Sequence, residues 1–117
     1  MKILLIINDG GYGSEKAYNA LRLAMALQKE HQGIEVWVFL MADAVTCAVA
    51  GQKTPDGYYN LERMLRAIAN AGGQVKACGS CCEARGIAGQ ALAGGAEVST
   101  MSHLARWTAE ADKVISF

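Results

Sequence analysis

Charge is scarce in this chain, and what there is cancels. Lysine and arginine together number 11, aspartate and glutamate 11, and the formal net charge is zero. A protein that grips nucleic acid by its phosphates needs a basic excess on one face, so no direct nucleic-acid partner is expected. Long apolar runs are also missing. Stretches such as Ile3–Ile7 and Val36–Ala42 fall far short of the ~20 residues that a membrane-spanning helix needs. The chain opens on a strand-like run, Lys2 to Ile7, without the longer apolar core and cleavage site of a secretory signal. A cytoplasmic protein without a membrane partner is therefore expected. Proline occurs once, at Pro55, and no linker, repeat or low-complexity tract divides the sequence. Two familiar catalytic signatures are absent as well. Gly10-Gly11-Tyr12-Gly13-Ser14 has neither the G-K-[ST] ending of a phosphate loop nor the third glycine of G-x-G-x-x-G, and reads as a tight turn. No G-x-S-x-G elbow supports a serine hydrolase.

What remains is apolar. Hydrophobic residues make up 52% of 117 residues, enough for one domain, 1–117, with a real core. Lys2 to Ile7 is apolar on both faces, which suits a central parallel strand covered by helices. Ser14 is the expected N-cap of a helix running to about Gln32, with Ala17, Ala20, Leu21, Ala24 and Leu27 along one face. Glu35 to Leu40 reads as a second strand and Ala42 to Ala50 as a short helix. Asn60 is the expected cap of a helix striped by Leu61, Met64, Leu65 and Ile68. A third strand runs from Gln74 to Ala77 and leads into Cys78. Short helical pieces are expected at 83–89 and 90–93, a strand at 97–99, a helix from Ser102 to Ala111, and a last strand at 113–117. Strands alternating with helices give a three-layer α/β sandwich with a mostly parallel sheet of about five strands.

In such sheets the working groups gather at the carboxyl ends of the strands. Here those ends carry Asn8-Asp9-Gly10, Met41-Ala42-Asp43 and Cys78-Gly79-Ser80-Cys81. Asp9 either steers a substrate or caps its turn. His31 reads as solvated and His103 as a surface residue. Tyr58 and Tyr59 read as packing or interface residues, and Trp37 and Trp107 as core or interface aromatics.

The four cysteines are Cys47, Cys78, Cys81 and Cys82. Three of them fall within five residues, which looks like chemistry more than stapling. Cys78 stands where a strand meets a helix start, whose N–H groups favour a thiolate, and Lys76 and Arg85 lie near it in sequence. A low-pKa thiol there suits sulfur transfer, with the thiolate attacking a donor persulfide. Thioredoxin-like disulfide exchange is a second reading of C-x-x-C, although no aromatic precedes the motif and Pro55 lies before a helix. Metal binding is a third, but zinc wants four ligands, usually in two pairs, so His103 or Cys47 would have to complete the set. The fourth is that the cysteines are small buried hydrophobes, the favoured reading for Cys47. For Cys82, burial and a supporting role both stay open.

Two segments then resemble a known family. Gly51-Gln52-Lys53-Thr54-Pro55-Asp56-Gly57-Tyr58-Tyr59-Asn60-Leu61-Glu62-Arg63-Met64-Leu65 and Val75-Lys76-Ala77-Cys78-Gly79-Ser80-Cys81-Cys82-Glu83-Ala84-Arg85-Gly86-Ile87 look like YchN-type DsrE/DsrF-like proteins, and Ala111 to Phe117 is similar to that family's last strand. The resemblance implies a parallel α/β fold, assembly as a homotrimer or homohexamer, and a cysteine that carries sulfur as a persulfide between sulfur-donor and sulfur-acceptor proteins. In the family's relay complexes the active cysteine lies seven residues before the arginine of an Arg-Gly pair. Cys78 and Arg85-Gly86 match that spacing, so the acceptor role falls to Cys78, with Arg85 holding the loop or supporting the anion. The C-G-S-C pattern is not general in those relay subunits, and it leaves room for Cys81 or Cys82 to close a disulfide with Cys78. Neither a cofactor nor a metal is implied. The alternative is an oligomeric module that senses redox state or binds metal through Cys78, Cys81 and Cys82 without turnover.

Overall fold

Six residues that are almost all aliphatic, Lys2–Ile7, form β1, and their lack of an exposed polar face puts them near the middle of a sheet. The computed structural model describes residues 1–55 and 59–117. Asp56, Gly57 and Tyr58 lie outside the described residues, and with them the packing or interface role expected for Tyr58. The elements that follow β1 are α1 (Lys16–Glu30), β2 (Glu35–Leu40), a 3-10 helix (Ala42–Ala48), α2 (Leu61–Asn70), β3 (Gln74–Cys78), α3 (Gly79–Ala84), β4 (Ala96–Ser99), α4 (Met101–Glu110) and β5 (Lys113–Ser116).

The five strands pair in the order β4-β3-β2-β1-β5, and every pairing is parallel. From β1 to β4 the chain steps steadily to one side, and from β4 it returns across the sheet to β5. Right-handed crossovers therefore put α1 and α2 on one face and α4 on the other. The first face is built on Ala17, Ala20, Leu21 and Ala24 of α1 and on Leu61, Leu65 and Ile68 of α2, all buried. On the second face Trp107 stacks on Trp37, with ring centroids 4.9 Å apart, and meets Phe39 edge-on at 6.1 Å. Both tryptophans are thus core residues, at 4% and 3% exposure, and neither is left over for an interface between chains. Tyr12 and Tyr59 do stay exposed.

Local chemistry accounts for where the observed elements depart from the expected ones. Asn60 caps α2 as anticipated, accepting the Arg63 N–H at 3.0 Å. Ser14 stands one residue before the cap position, which Glu15 holds; its hydroxyl donates to Asp9 at 3.0 Å and accepts the N–H of Lys16, the first residue of α1, at 3.4 Å. Asp9, held also by Lys16 at 3.8 Å, therefore organises its own turn. The segment after β2 winds as a 3-10 helix because it starts from Ala42 in the left-handed region, φ 51°, and because the Thr46 hydroxyl donates to the Asp43 carbonyl at 2.6 Å. The helix expected at 83–89 begins earlier, immediately after Cys78. No helix forms at 90–93. Leu92 instead bridges Val49 in antiparallel fashion, and the Ala93 N–H donates to the Ala48 carbonyl at 2.7 Å. Gly11 is needed by its own chain: a Cβ there would overlap the Leu61 side chain.

The aromatic stack should dominate what α4 contributes to stability. Trp107→Ala is expected to cost ~3–5 kcal/mol in urea unfolding, against within ~0.5 kcal/mol for the exposed Ser102→Ala on the same helix. Equal losses in the two variants would refute the assignment of Trp107 to the core.

Candidate functional site

The last residue of β3 is also the cap of α3. Cys78 ends the strand and its Sγ accepts the Cys81 N–H at 3.4 Å. The Ser80 hydroxyl lies 3.3 Å from the same sulfur. Gly79 follows in a tight place: a Cβ there would come to 3.1 Å from the Ser99 carbonyl oxygen and from Val98 Cγ1, so those neighbours would have to give by a few tenths of an ångström. β4 is thus packed directly against the cysteine turn. Beyond it opens a surface cleft of about 380 Å³ lined by Cys78, Ser80, Glu83, Val98, Thr100 and Met101, among others. Val98 and Met101 present exposed apolar surface, 57% and 59% accessible, while Cys78 itself is only 5% exposed.

The strand ends of β2 and β3 are tied together over this turn. Arg85 donates from Nε to Asp43 Oδ1 at 2.7 Å and from Nη1 to the Cys81 carbonyl at 3.1 Å. The loop it fixes carries Ala42, whose N–H donates to Cys81 Sγ at 3.3 Å. Arg85 thus bridges the loop after β2 and α3. Lys76, expected to lend positive potential to Cys78, is paired instead with Glu97 at 2.8 Å.

The four thiols differ in acidity, and the causes can be named. For Cys78 burial is the largest single influence and raises the pKa. Hydrogen bonds from the Cys81 and Ser80 side chains and from their backbone N–H groups together outweigh it, so the thiol is more acidic than an ordinary cysteine. Cys81 is pushed up, first by burial and then by its hydrogen bond to Cys78, against the lowering effect of the Ala42 N–H and of Arg85. Cys82, 1% exposed, is raised by burial and then by the neighbouring thiols. Cys47 is pushed up to about 12 by burial in the core, as befits an inert packing residue.

The structure thus brings Cys78, Cys81 and Arg85 to one place and leaves Cys47 elsewhere. Among the described residues no three of His, Cys, Asp and Glu are grouped so as to hold a metal ion. His103 packs edge-on to Trp107 at 4.7 Å, with its Nδ1 3.2 Å from Arg106. Burial, followed by the charges of Arg106 and Lys76, lowers its pKa. His31 is exposed, as expected. Sequence reasoning gave no role to Asp43, Ala42 or Ser80. Asp43 was visible as a strand-end acid, and Ser80 as a hydroxyl inside C-x-x-C. Val98 and Met101 carried no such signal, because only the pairing of β4 with β3 brings them to Cys78.

The acidity of Cys78 can be measured by following its alkylation rate against pH at the peptide level. The midpoint is expected below the ~8.5 of a free cysteine, and Cys81→Ala, which removes a donor to the thiolate, is expected to raise it. A midpoint at or above ~8.5 in the wild type would count against an activated thiol.

Comparison with known proteins places this geometry. The model of the DsrE/DsrF-like family matches residues 1–117. Protein YchN of Escherichia coli (strain K12) is 42% identical over 116 residues, spanning 99% of this chain and 98% of its own. An uncharacterised protein of Methanocaldococcus jannaschii is 39% identical over 117 residues, spanning 100% of both chains. The crystal structure of the E. coli YchN protein superposes with a TM-score of 0.93 at 42% identity, over 100% of this chain and 99% of that one. A protein of unknown function from Methanobacterium thermoautotrophicum shares the fold, with a TM-score of 0.70 at 18% identity over 99% and 98% of the two chains. With a five-stranded parallel sheet and a family match along its whole length, this chain belongs to the DsrE/DsrF-like family.

Proposed function

We propose that the protein is a cytoplasmic sulfur carrier of the sulfurtransferase type, with Cys78 as the thiol that holds the cargo. In the loading step the Cys78 thiolate attacks the outer sulfur of a donor protein's persulfide. The donor's S–S bond breaks, its thiolate leaves, and Cys78 becomes Cys–S–SH. An acceptor thiol takes the outer sulfur by the same displacement, and the Cys78 thiolate returns. The observation that carries this reading is the Cys78 sulfur itself: at a strand end, on the wall of an open cleft, accepting the Cys81 N–H and lying beside the Ser80 hydroxyl. Membership in a family associated with sulfur relay supports it. The apolar rim of Val98 and Met101 suits a protein partner that docks and leaves, since large apolar side chains are enriched at interface cores. The alternative of a metal-binding module draws no support from the arrangement of the described residues.

The carrier works as a homotrimer or homohexamer. Support comes from the resemblance and from apolar side chains that the single chain leaves exposed, among them Tyr12, Tyr59 and Val114. In addition, no helix among the described residues is long and apolar enough to cross a membrane.

Loading with a persulfide donor, read by intact mass at the earliest times after mixing, is expected to add one sulfur atom to the wild-type chain and none to Cys78→Ser. An undiminished adduct in Cys78→Ser would overturn the assignment. Sedimentation equilibrium is expected to give three or six times the 12.4 kDa of the chain. The mass of a lone chain would refute self-association, and a dimer would reject the number.

A further inference from the structure

The motif contains two thiols besides Cys78, and they are built differently. Cys82 faces the core at 1% exposure. Cys81 is half-buried, and its own N–H already points at Cys78 Sγ from 3.4 Å. Residues three apart at a helix start are neighbours, with Cβ atoms about 5–6 Å apart, while a disulfide needs Cβ atoms about 3.5–4.5 Å apart. The two thiols are already hydrogen-bonded to one another, and a closing of the turn by about 1–2 Å joins them. The Cys81 sulfur also has a partner of its own: the Ala42 N–H, 3.3 Å away, held there by Arg85 through Asp43. That contact stabilises negative charge on Cys81 and on no other thiol of the cluster.

We infer that Cys81 is a resolving thiol, which ejects the sulfur carried on Cys78 as hydrosulfide and closes a Cys78–Cys81 disulfide. The inference rests on the persulfide reading above and adds a second fate for the cargo. In the step, the Cys81 thiolate attacks Cys78 Sγ, the inner sulfur of Cys78–S–SH. The bond between the two sulfurs of the persulfide breaks, its electron pair leaves with the outer sulfur as HS⁻, and a new S–S bond joins the cysteines. The sulfane sulfur is reduced to sulfide while the two cysteine sulfurs are oxidised to the disulfide, so no outside oxidant enters. Return to the dithiol requires two electrons from an external dithiol reductant, by ordinary thiol–disulfide exchange.

Loading removes one of the influences that hold Cys81 as a thiol. In the empty site burial, and after it the hydrogen bond to the Cys78 sulfur, raise the Cys81 pKa. Once Cys78 carries sulfur, the negative charge moves to the outer sulfur and that proton acceptor is lost. The Ala42 N–H and Arg85, both of which favour the Cys81 thiolate, then act unopposed by it. A docked acceptor competes by taking the outer sulfur first. Transfer and release thus differ only in which sulfur of the persulfide is attacked.

The test uses the full chain, reduced and then loaded anaerobically with inorganic polysulfide, with excess reagent removed. Hydrosulfide release is followed in time, and the chain is alkylated and mapped by mass. The wild type is expected to release one hydrosulfide per loaded chain and to lose two hydrogens as a Cys78–Cys81 disulfide. Cys82→Ala is expected to do the same. Cys81→Ser is expected to keep its sulfur on Cys78. Release from Cys81→Ser at the wild-type rate, a disulfide mapped to Cys82, or a wild type that retains its sulfur would each overturn the inference while leaving the carrier reading intact. If Cys81→Ser folds, as judged by its circular dichroism, and takes up no sulfur at Cys78, the carrier reading falls and the inference with it.

Discussion

The chain passes from β3 to α3 through one residue, Cys78, with no loop between them. That constraint organises the rest of the site. A strand that turns at once into a helix throws its last side chain onto the first N–H groups of that helix, so the cysteine sulfur stands in for the usual oxygen of an N-cap. The turn is also tight enough that β4 packs against it, which leaves little room for a side chain after the cysteine. The cleft then follows from the same packing: β4 and the start of α4 form one wall, and the cysteine turn forms the other.

A second contact stretches this local arrangement across the sheet. Asp43 and Arg85 are 42 residues apart in sequence, yet their ion pair ties the loop after β2 to the end of α3. Exposed ion pairs contribute little to stability, about 0–1 kcal/mol. The importance of this one lies in direction. It fixes Ala42 in a left-handed conformation, unusual for a residue with a Cβ, and aims its N–H at a sulfur. Local strain of that kind is tolerated where surrounding contacts over-determine it. Here an arginine bonded to two partners supplies them.

Much of this was legible in the sequence, and the exceptions share a cause. The alternation of strands and helices and the Asn60 cap of α2 follow from periodicity and turn chemistry, which act over a few residues. The segment between Cys78 and β4 did not follow. Helical pieces were expected at 83–89 and 90–93, but Leu92 finds a backbone partner in Val49, 43 positions earlier. The acidity of Cys78 was expected from the helix-start N–H groups, which do contribute, and from nearby cations, which do not. Lys76 and Arg85 are near in sequence, yet each is committed to a carboxylate, and short-range donors lower the pKa in their place. The two tryptophans, read as core or interface aromatics, proved to be core and found each other across β2 and α4. Pairings across long stretches of chain are what a linear reading leaves out.

The last strand has a consequence for folding order. β5 pairs only with β1, setting Ile3 opposite Lys113, so this contact encloses nearly the entire chain. Closing so large a loop carries a higher entropic cost than joining β1 to β2 or β2 to β3, and non-local pairings of this kind slow folding. The turn that carries Cys78, Cys81 and Cys82 follows β3, which β2 and β1 separate from β5. The closing strand and the cysteine turn therefore lie toward opposite sides of the sheet.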